Sequence, residues 1–261
     1  MLLPALLALL PVAGSAQERR PIPVRFQTED GIRIAADYLR PRGAKPVLVM
    51  LHGVGAGRRE WDPLAAEAAK LGFGTLQFDA RGHGESGGPP YTTFRTQESW
   101  EAIEKDIEGA LAFLKSRGFP PERTALVGAS IGANLVLRKG LREPRIPFIV
   151  LLSPGLSYQG VRVKPDFLRF ARPVLMAAAP NDAYSMRTCQ ELAPALRPPD
   201  SRFLQAAAGH GAQMLNGEVN RPFVKELLRW LCDRAASSRA GTPASPEARP
   251  TRQPASTSPS P

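Results

Sequence analysis

The sequence predicts an α/β protein: one domain built on a mostly parallel, doubly wound sheet of about eight strands, with helices on both faces. Three observations carry this expectation. Short, almost unbroken apolar runs such as Pro46–Leu51 (PVLVML) read as strands buried on both faces, the mark of a parallel sheet. Amphipathic stretches with three-to-four spacing lie between those runs, so strands and helices alternate. At 261 residues the chain can close one large core but not two of full size.

In chain order, Val24–Thr28, the turn Glu29-Asp30-Gly31 and the alternating run Ile32–Leu39 predict a β-hairpin. Pro46–Leu51 is the third strand. After the loop HGVGAGRREW, Asp62-Pro63 predicts an N-cap with proline at the first helical position, and the helix ends near Gly72. Phe73–Phe78 is the fourth strand, closed by DARGHGES. Trp100, Ile103, Ile107, Leu111 and Leu114 then mark the clearest amphipathic helix, stopped at Gly118. Thr124–Val127, Phe148–Leu152, Val174–Ala179 and Phe203–Ala206 complete the strands. Helices are expected over Ile131–Lys139, Met186–Leu196 and Pro222–Cys232.

The ends read differently. Residues 1–16, MLLPALLALLPVAGSA, combine an apolar run too short to span a bilayer with small residues at a cleavage point, which predicts an export signal. From Ala235 the chain is dense in Pro and Ser and poor in large apolar residues, which predicts a disordered tail over 235–261. The folded domain is therefore expected over 21–234, in a secreted or periplasmic protein with no transmembrane span in the mature chain.

Net charge is +10 with pI about 10.2, yet no basic run exceeds two residues and no aromatics interleave with basic residues. The charge reads as a solvated surface and argues against a nucleic-acid partner. Cys189 and Cys232 match no metal motif; a disulfide and two separate thiols both stay open. Gly53, Gly55 and Gly57 follow a strand, but Arg58 stands where a dinucleotide fingerprint needs glycine. With no G-x-x-x-x-G-K-[ST] and no H-E-x-x-H, neither a metal nor any other cofactor is expected.

The chemistry concentrates at strand ends. Gly128-Ala129-Ser130-Ile131-Gly132 puts a serine between an expected strand and an expected helix, where a tight turn lifts the hydroxyl clear of the backbone. A serine hydroxyl is a weak nucleophile and needs a base, which needs an orienting group. His210 follows the eighth strand and Asp182 the seventh, at the carboxyl edge where such sheets bind ligands. Asp182 also reads as a helix N-cap, with Asp166 the next acid to test. The amides of Ile131 and Val54 are the candidate oxyanion donors. His52 and His83 are expected to tie loops together, and Arg81 and Glu85 to pair within their loop.

L-H-G-x-G after the third strand, D-x-R-G-H-G-x-S after the fourth, G-x-S-x-G, an Asp after the seventh and G-H-G after the eighth resemble the α/β-hydrolase superfamily over about Val24 to Leu231. Within it the chain is most similar to compact dienelactone-hydrolase-like and carboxylesterase-like members. The resemblance implies Ser130 as nucleophile, His210 as base and Asp182 as orienter, acting on a small-molecule carboxylic ester. A peptidase, thioesterase or acyltransferase would share the triad, and an inactive binding scaffold would share the fold. Ser153–Pro173 is too short for the cap domain that many relatives insert, which implies an open, shallow site.

Overall fold

The computed structural model describes residues 19–240. The export signal expected over residues 1–16 and the part of the expected tail beyond Ala240 lie outside the described residues. Strands β1 (Ile22–Gln27) and β2 (Arg33–Leu39) form the expected antiparallel hairpin. They lead to β3 (Val47–Leu51), α1 (Asp62–Lys70) and β4 (Gly74–Phe78), then to α2 (Gln97–Glu101) and α3 (Glu104–Lys115). Next come β5 (Thr124–Ala129), α4 (Ile131–Arg142) and β6 (Ile149–Leu152). A two-stranded hairpin, β7 (Ser157–Tyr158) and β8 (Val161–Arg162), precedes α5 (Lys164–Arg169). The chain closes with β9 (Val174–Ala178), α6 (Ala183–Leu192), β10 (Arg202–Gln205) and α7 (Arg221–Ala240).

The main sheet has eight strands in the order β1-β2-β4-β3-β5-β6-β9-β10. β2 runs antiparallel to β4, and every pair from β4 to β10 is parallel. Period-two alternation splits each central strand between two cores. Val47, Val49 and Leu51 of β3 face Ile107, Leu135 and Met176 on one side, while Leu48 and Met50 face Trp61, Leu64 and Leu227 on the other. Cys189 belongs to the first core and Cys232 packs against the second, so the sheet stands between them and both are free thiols.

Several expectations shift in detail. Trp61, not Asp62, caps α1, and Asp62-Pro63 occupy its first two positions. The single helix expected over Trp100–Leu114 is two helices, because Ala102 and Ile103 tighten into i→i+3 hydrogen bonding. α6 begins at Ala183, not Met186, because Asp182 does cap it. α7 runs through Ala240, past the boundary drawn at Arg234, with Ala235 buried against the second core. The 153–173 segment holds a hairpin and a short helix where the sequence predicts only a connection.

Candidate active site

Ser130 sits at the turn from β5 into α4. Its backbone has φ 56° and ψ −126°, a conformation a side chain adopts only where the surroundings enforce it. Here β5 ends and α4 begins, so close together that a Cβ on Gly128 would fall 2.3 Å from the Gly132 carbonyl oxygen. A Cβ on Gly132 would fall 2.5 Å and 2.6 Å from the carbonyl oxygens of Leu51 and His52. Both glycines are thus required by strand–helix contact. Ser130 N donates to Leu152 O on β6 (2.8 Å), which fastens the turn to the sheet.

Asp182 follows β9 and His210 follows β10, and the fold joins them: His210 Nδ1 donates to Asp182 Oδ2 at 2.7 Å. The acid is nine-tenths buried while the imidazole is half-exposed. Burial alone would raise the Asp182 pKa, but hydrogen bonds from Ser153, Ser185 and His210 outweigh it, so the carboxyl is held below its ordinary value. Asp182 also accepts from Ser185 N at 3.3 Å, the cap of α6. The next residue after the histidine, Gly211, packs on the turn itself; a Cβ there would lie 3.1 Å from Ala129 Cβ. Asp166 is elsewhere, paired with Arg138 at 3.2 Å.

On the other flank, Gly53 stands directly against Ser130; a Cβ there would lie 3.1 Å from Ser130 Cβ. His52 aims this loop. Ala80 N donates to His52 Nε2 (3.0 Å), so the proton is on Nδ1, which donates to Gly53 O at 2.7 Å. In a trans peptide the N–H points opposite to the C=O, so Val54 N–H is turned away from His52. Ile131 N–H, in the first turn of α4, has no intrahelical acceptor. Burial lowers the His52 pKa to about 4, which keeps it neutral. Glu60 accepts from Gly53 N at 3.3 Å, and burial raises its pKa to about 7.

The D-x-R-G-H-G-x-S motif is a frame for these loops. Arg58 is buried among Asp37 (3.2 Å), Asp79 and Glu85 (2.6 Å), and Asp79 also accepts from Arg58 N and Glu85 N. Arg81 does not pair with Glu85 as expected. It turns inward to buried Asp106 and to Asp30, while Glu85 takes Arg58 and Arg25. His83 stacks on Tyr91 with centroids 4.2 Å apart and meets His52 edge-on at 4.8 Å, the loop-tying role expected of both histidines.

Sequence reasoning missed Ser153, Tyr158 and Ser185. Ser153 follows β6 with φ 52°, accepts from Gly211 N (2.8 Å) and lies beside Asp182, whose carboxylate it helps to stabilise. Its place at a strand's carboxyl edge, beside Ser130 and Asp182, was the available signal. Tyr158 lies in the hairpin, its ring edge-on to His210 with centroids 6.3 Å apart. A cavity of about 800 Å³ lies elsewhere, lined by Asp37, Arg42, Arg58, Asp62, Lys70 and Gln77. Its size does not make it the site, since none of the strand-end residues opens into it.

A strained serine on a strand-to-helix turn, with a histidine–carboxylate pair from the ends of β9 and β10 of a mostly parallel sheet, defines the α/β-hydrolase class. A model of the alpha/beta hydrolase family matches residues 48–257, and the chain belongs to that family. It is 32% identical over 133 residues to thiohydrolase aneE of Aspergillus aculeatus, half of this chain and 41% of that protein. It is 29% identical over 138 residues to the quorum-quenching protein AidA of Acinetobacter baumannii, 51% of this chain and 44% of that one. The chain thus spans less than half the length of these curated relatives. Among solved structures, an esterase of Pyrococcus furiosus superposes with a TM-score of 0.67 at 18% identity, over 82% of this chain and 91% of that one. Est1E of Butyrivibrio proteoclasticus, solved with ferulic acid bound, gives 0.67 at 16% identity, over 81% and 99%.

Proposed function

We propose that the protein is a serine hydrolase cleaving carboxylic esters of small molecules through an acyl-enzyme. Ser130 Oγ attacks the ester carbonyl while His210 takes its proton. Asp182 holds the imidazole in the tautomer that leaves Nε2 free to accept. The N–H groups of Val54 and Ile131 stabilise the oxyanion, helped by the positive end of α4. His210 then protonates the departing alcohol, and water, deprotonated by the same histidine, releases the acid.

The observation that carries this reading is the 2.7 Å His210–Asp182 hydrogen bond beside a serine in a strained turn. A buried ionised acid bonded to Nδ1 fits a histidine meant to accept at its other nitrogen. A fluorophosphonate probe should label the wild-type protein at Ser130 and leave Ser130→Ala unlabelled. Absence of labelling in the folded wild type would favour a binding scaffold instead. The thiohydrolase relative favours a second reading, thioester cleavage by the same residues. Turnover of a thioester against the oxygen ester of the same acyl group separates the two. We further place the mature protein outside the cytoplasm on its first sixteen residues; N-terminal sequencing of the cell-envelope or secreted form tests that cleavage.

A further inference from the structure

Residues 153–163 carry a side chain that the triad does not explain. Tyr158 stands edge-on to the His210 ring at an interplanar angle of 88°. Its hydroxyl lies 2.9 Å from Ser185 Oγ, on the side of the ring that faces Ser130. One phenol therefore stands beside both the serine and the histidine.

The surroundings fix that phenol. Asn134, fully buried on α4, donates Nδ2 to Gly155 O and Val161 O (both 2.8 Å) and accepts from Gly155 N (3.2 Å). The Tyr184 hydroxyl joins Ser157 N and Ser157 O at 2.9 and 3.0 Å. Leu156 N donates to Thr188 Oγ1. Gly155 runs so close beneath the two rings that a Cβ would fall 2.5 Å from Tyr158 and 2.6 Å from Tyr184. A segment held by so many bonds acts as a mount, and what it sets is the place of the Tyr158 oxygen.

We infer that Tyr158 is a further catalytic residue: its O–H donates a hydrogen bond to the leaving-group oxygen, and this favours oxygen esters over thioesters. The inference rests on the esterase reading above. The attacked carbon carries both Ser130 Oγ and the leaving-group oxygen, so a donor beside the first stands close to the second. The oxyanion flank is closed by Gly53, against Ser130 Cβ. Tyr158 lies on the His210 flank, from which the leaving oxygen must take its proton. Burial pushes the Tyr158 pKa above its ordinary value, so the phenol remains a neutral donor at any working pH. The phenolic O–H turns about its C–O bond, so on substrate binding it can leave Ser185 Oγ for the leaving-group oxygen. As the C–O bond to the leaving group breaks, its electron pair stays on that oxygen. Imidazolium His210 transfers the proton, and Tyr158 keeps its own throughout. Sulfur is a weak acceptor, so the same O–H does little for a departing thiolate.

The test compares wild type with Tyr158→Phe on three substrates sharing one acyl group: an ethyl ester, a p-nitrophenyl ester and an alkyl thioester. Loss of a hydrogen bond to developing charge should lower kcat/KM for the ethyl ester about ten- to hundred-fold. The p-nitrophenyl ester and thioester, whose leaving groups carry less need of it, should lose less than about threefold. A tyrosine that only supports the fold would depress all three alike, so an even loss, or none, overturns the inference. If the phenylalanine variant fails to fold by circular dichroism, Tyr184→Phe keeps the Tyr158 phenol and unties its mount at Ser157. It should show the same ordering with a smaller loss, and an even loss there is equally fatal. Wild type inert toward all three, with Ser130 unlabelled by fluorophosphonate, would instead remove the esterase reading and this inference with it.

Discussion

Two groups beneath the Gly53–Val54 loop titrate in opposite senses, and replacing one should expose the other. His52 is 2% exposed, and burial lowers its pKa from 6.5 to about 4. Between those values the unfolded chain binds the proton and the folded one does not, so this group's contribution rises with pH from about 4 to 6.5. Burial raises the Glu60 pKa from 4.5 to about 7, against the Gly53 N–H that favours the anion. The folded state now holds the extra proton, so stability from Glu60 is full below pH 4.5 and is lost as pH rises through 7. Each displacement is about 2.5 in pKa, worth ~3 kcal/mol when fully expressed. Between pH 4.5 and 7 roughly 2 kcal/mol of each is expressed with opposite sign, and the two nearly cancel. Glu60→Gln keeps an acceptor for Gly53 N–H and removes one arm. Urea unfolding should show its stability rising by ~2 kcal/mol more than wild type's from pH 4.5 to 7. His52→Gln should show the reverse. Other carboxyls that titrate in this window are common to all three proteins and drop out of the difference. A Glu60→Gln profile parallel to wild type would refute the reasoning.

Ser130→Ala should cost several orders of magnitude in kcat on p-nitrophenyl acetate with the melting temperature nearly unchanged, because the turn is set by backbone contacts. Asp182→Asn should reduce kcat by roughly 10³–10⁴-fold by favouring the wrong imidazole tautomer. It should leave stability within about 1 kcal/mol, since asparagine also caps α6. Asp166→Asn, which only loosens an Arg138 pair, should leave kcat unchanged. Gly132→Ala forces a methyl against two backbone carbonyls that side-chain motion cannot relieve. It should destabilise by about 3 kcal/mol or more in denaturant and abolish activity.

The positions of the strands along the chain, the two-sided core and the residues at strand ends were legible because they follow from local patterns. An apolar run such as Val47–Leu51 has one use in a chain of this length, and Gly128 and Gly132 mark a close approach wherever they bracket a serine. What was not legible depends on distant partners. Arg81 and Glu85 are four residues apart, yet their partners Asp106, Asp30, Arg58 and Arg25 come from four other segments, and burial of Asp106 decides the matter. The hairpin carrying Tyr158 is two residues per strand; its stability comes from Asn134 and Tyr184, which no pattern within residues 153–173 reveals.

Asp182 shows how one residue carries two readings that the sequence sets as rivals. As an N-cap, its Oδ1 accepts from Ser185 N; as the histidine's partner, its Oδ2 accepts from Nδ1. A carboxylate has two oxygens and several lone pairs, so the roles use different atoms and do not compete. They reinforce each other. The cap locks the side-chain rotamer, so His210 meets an acid already aimed, and Ser153 braces the acid while accepting from Gly211 N beside that histidine. Removing Ser153 Oγ should therefore loosen both ends of the His210–Asp182 bond. Ser153→Ala is expected to lower kcat about ten-fold, with KM little changed. Histidine NMR checks the cause: the low-field Nδ1 proton of His210 should broaden in that variant. A sharp, unshifted resonance would mean that α6 alone holds the acid.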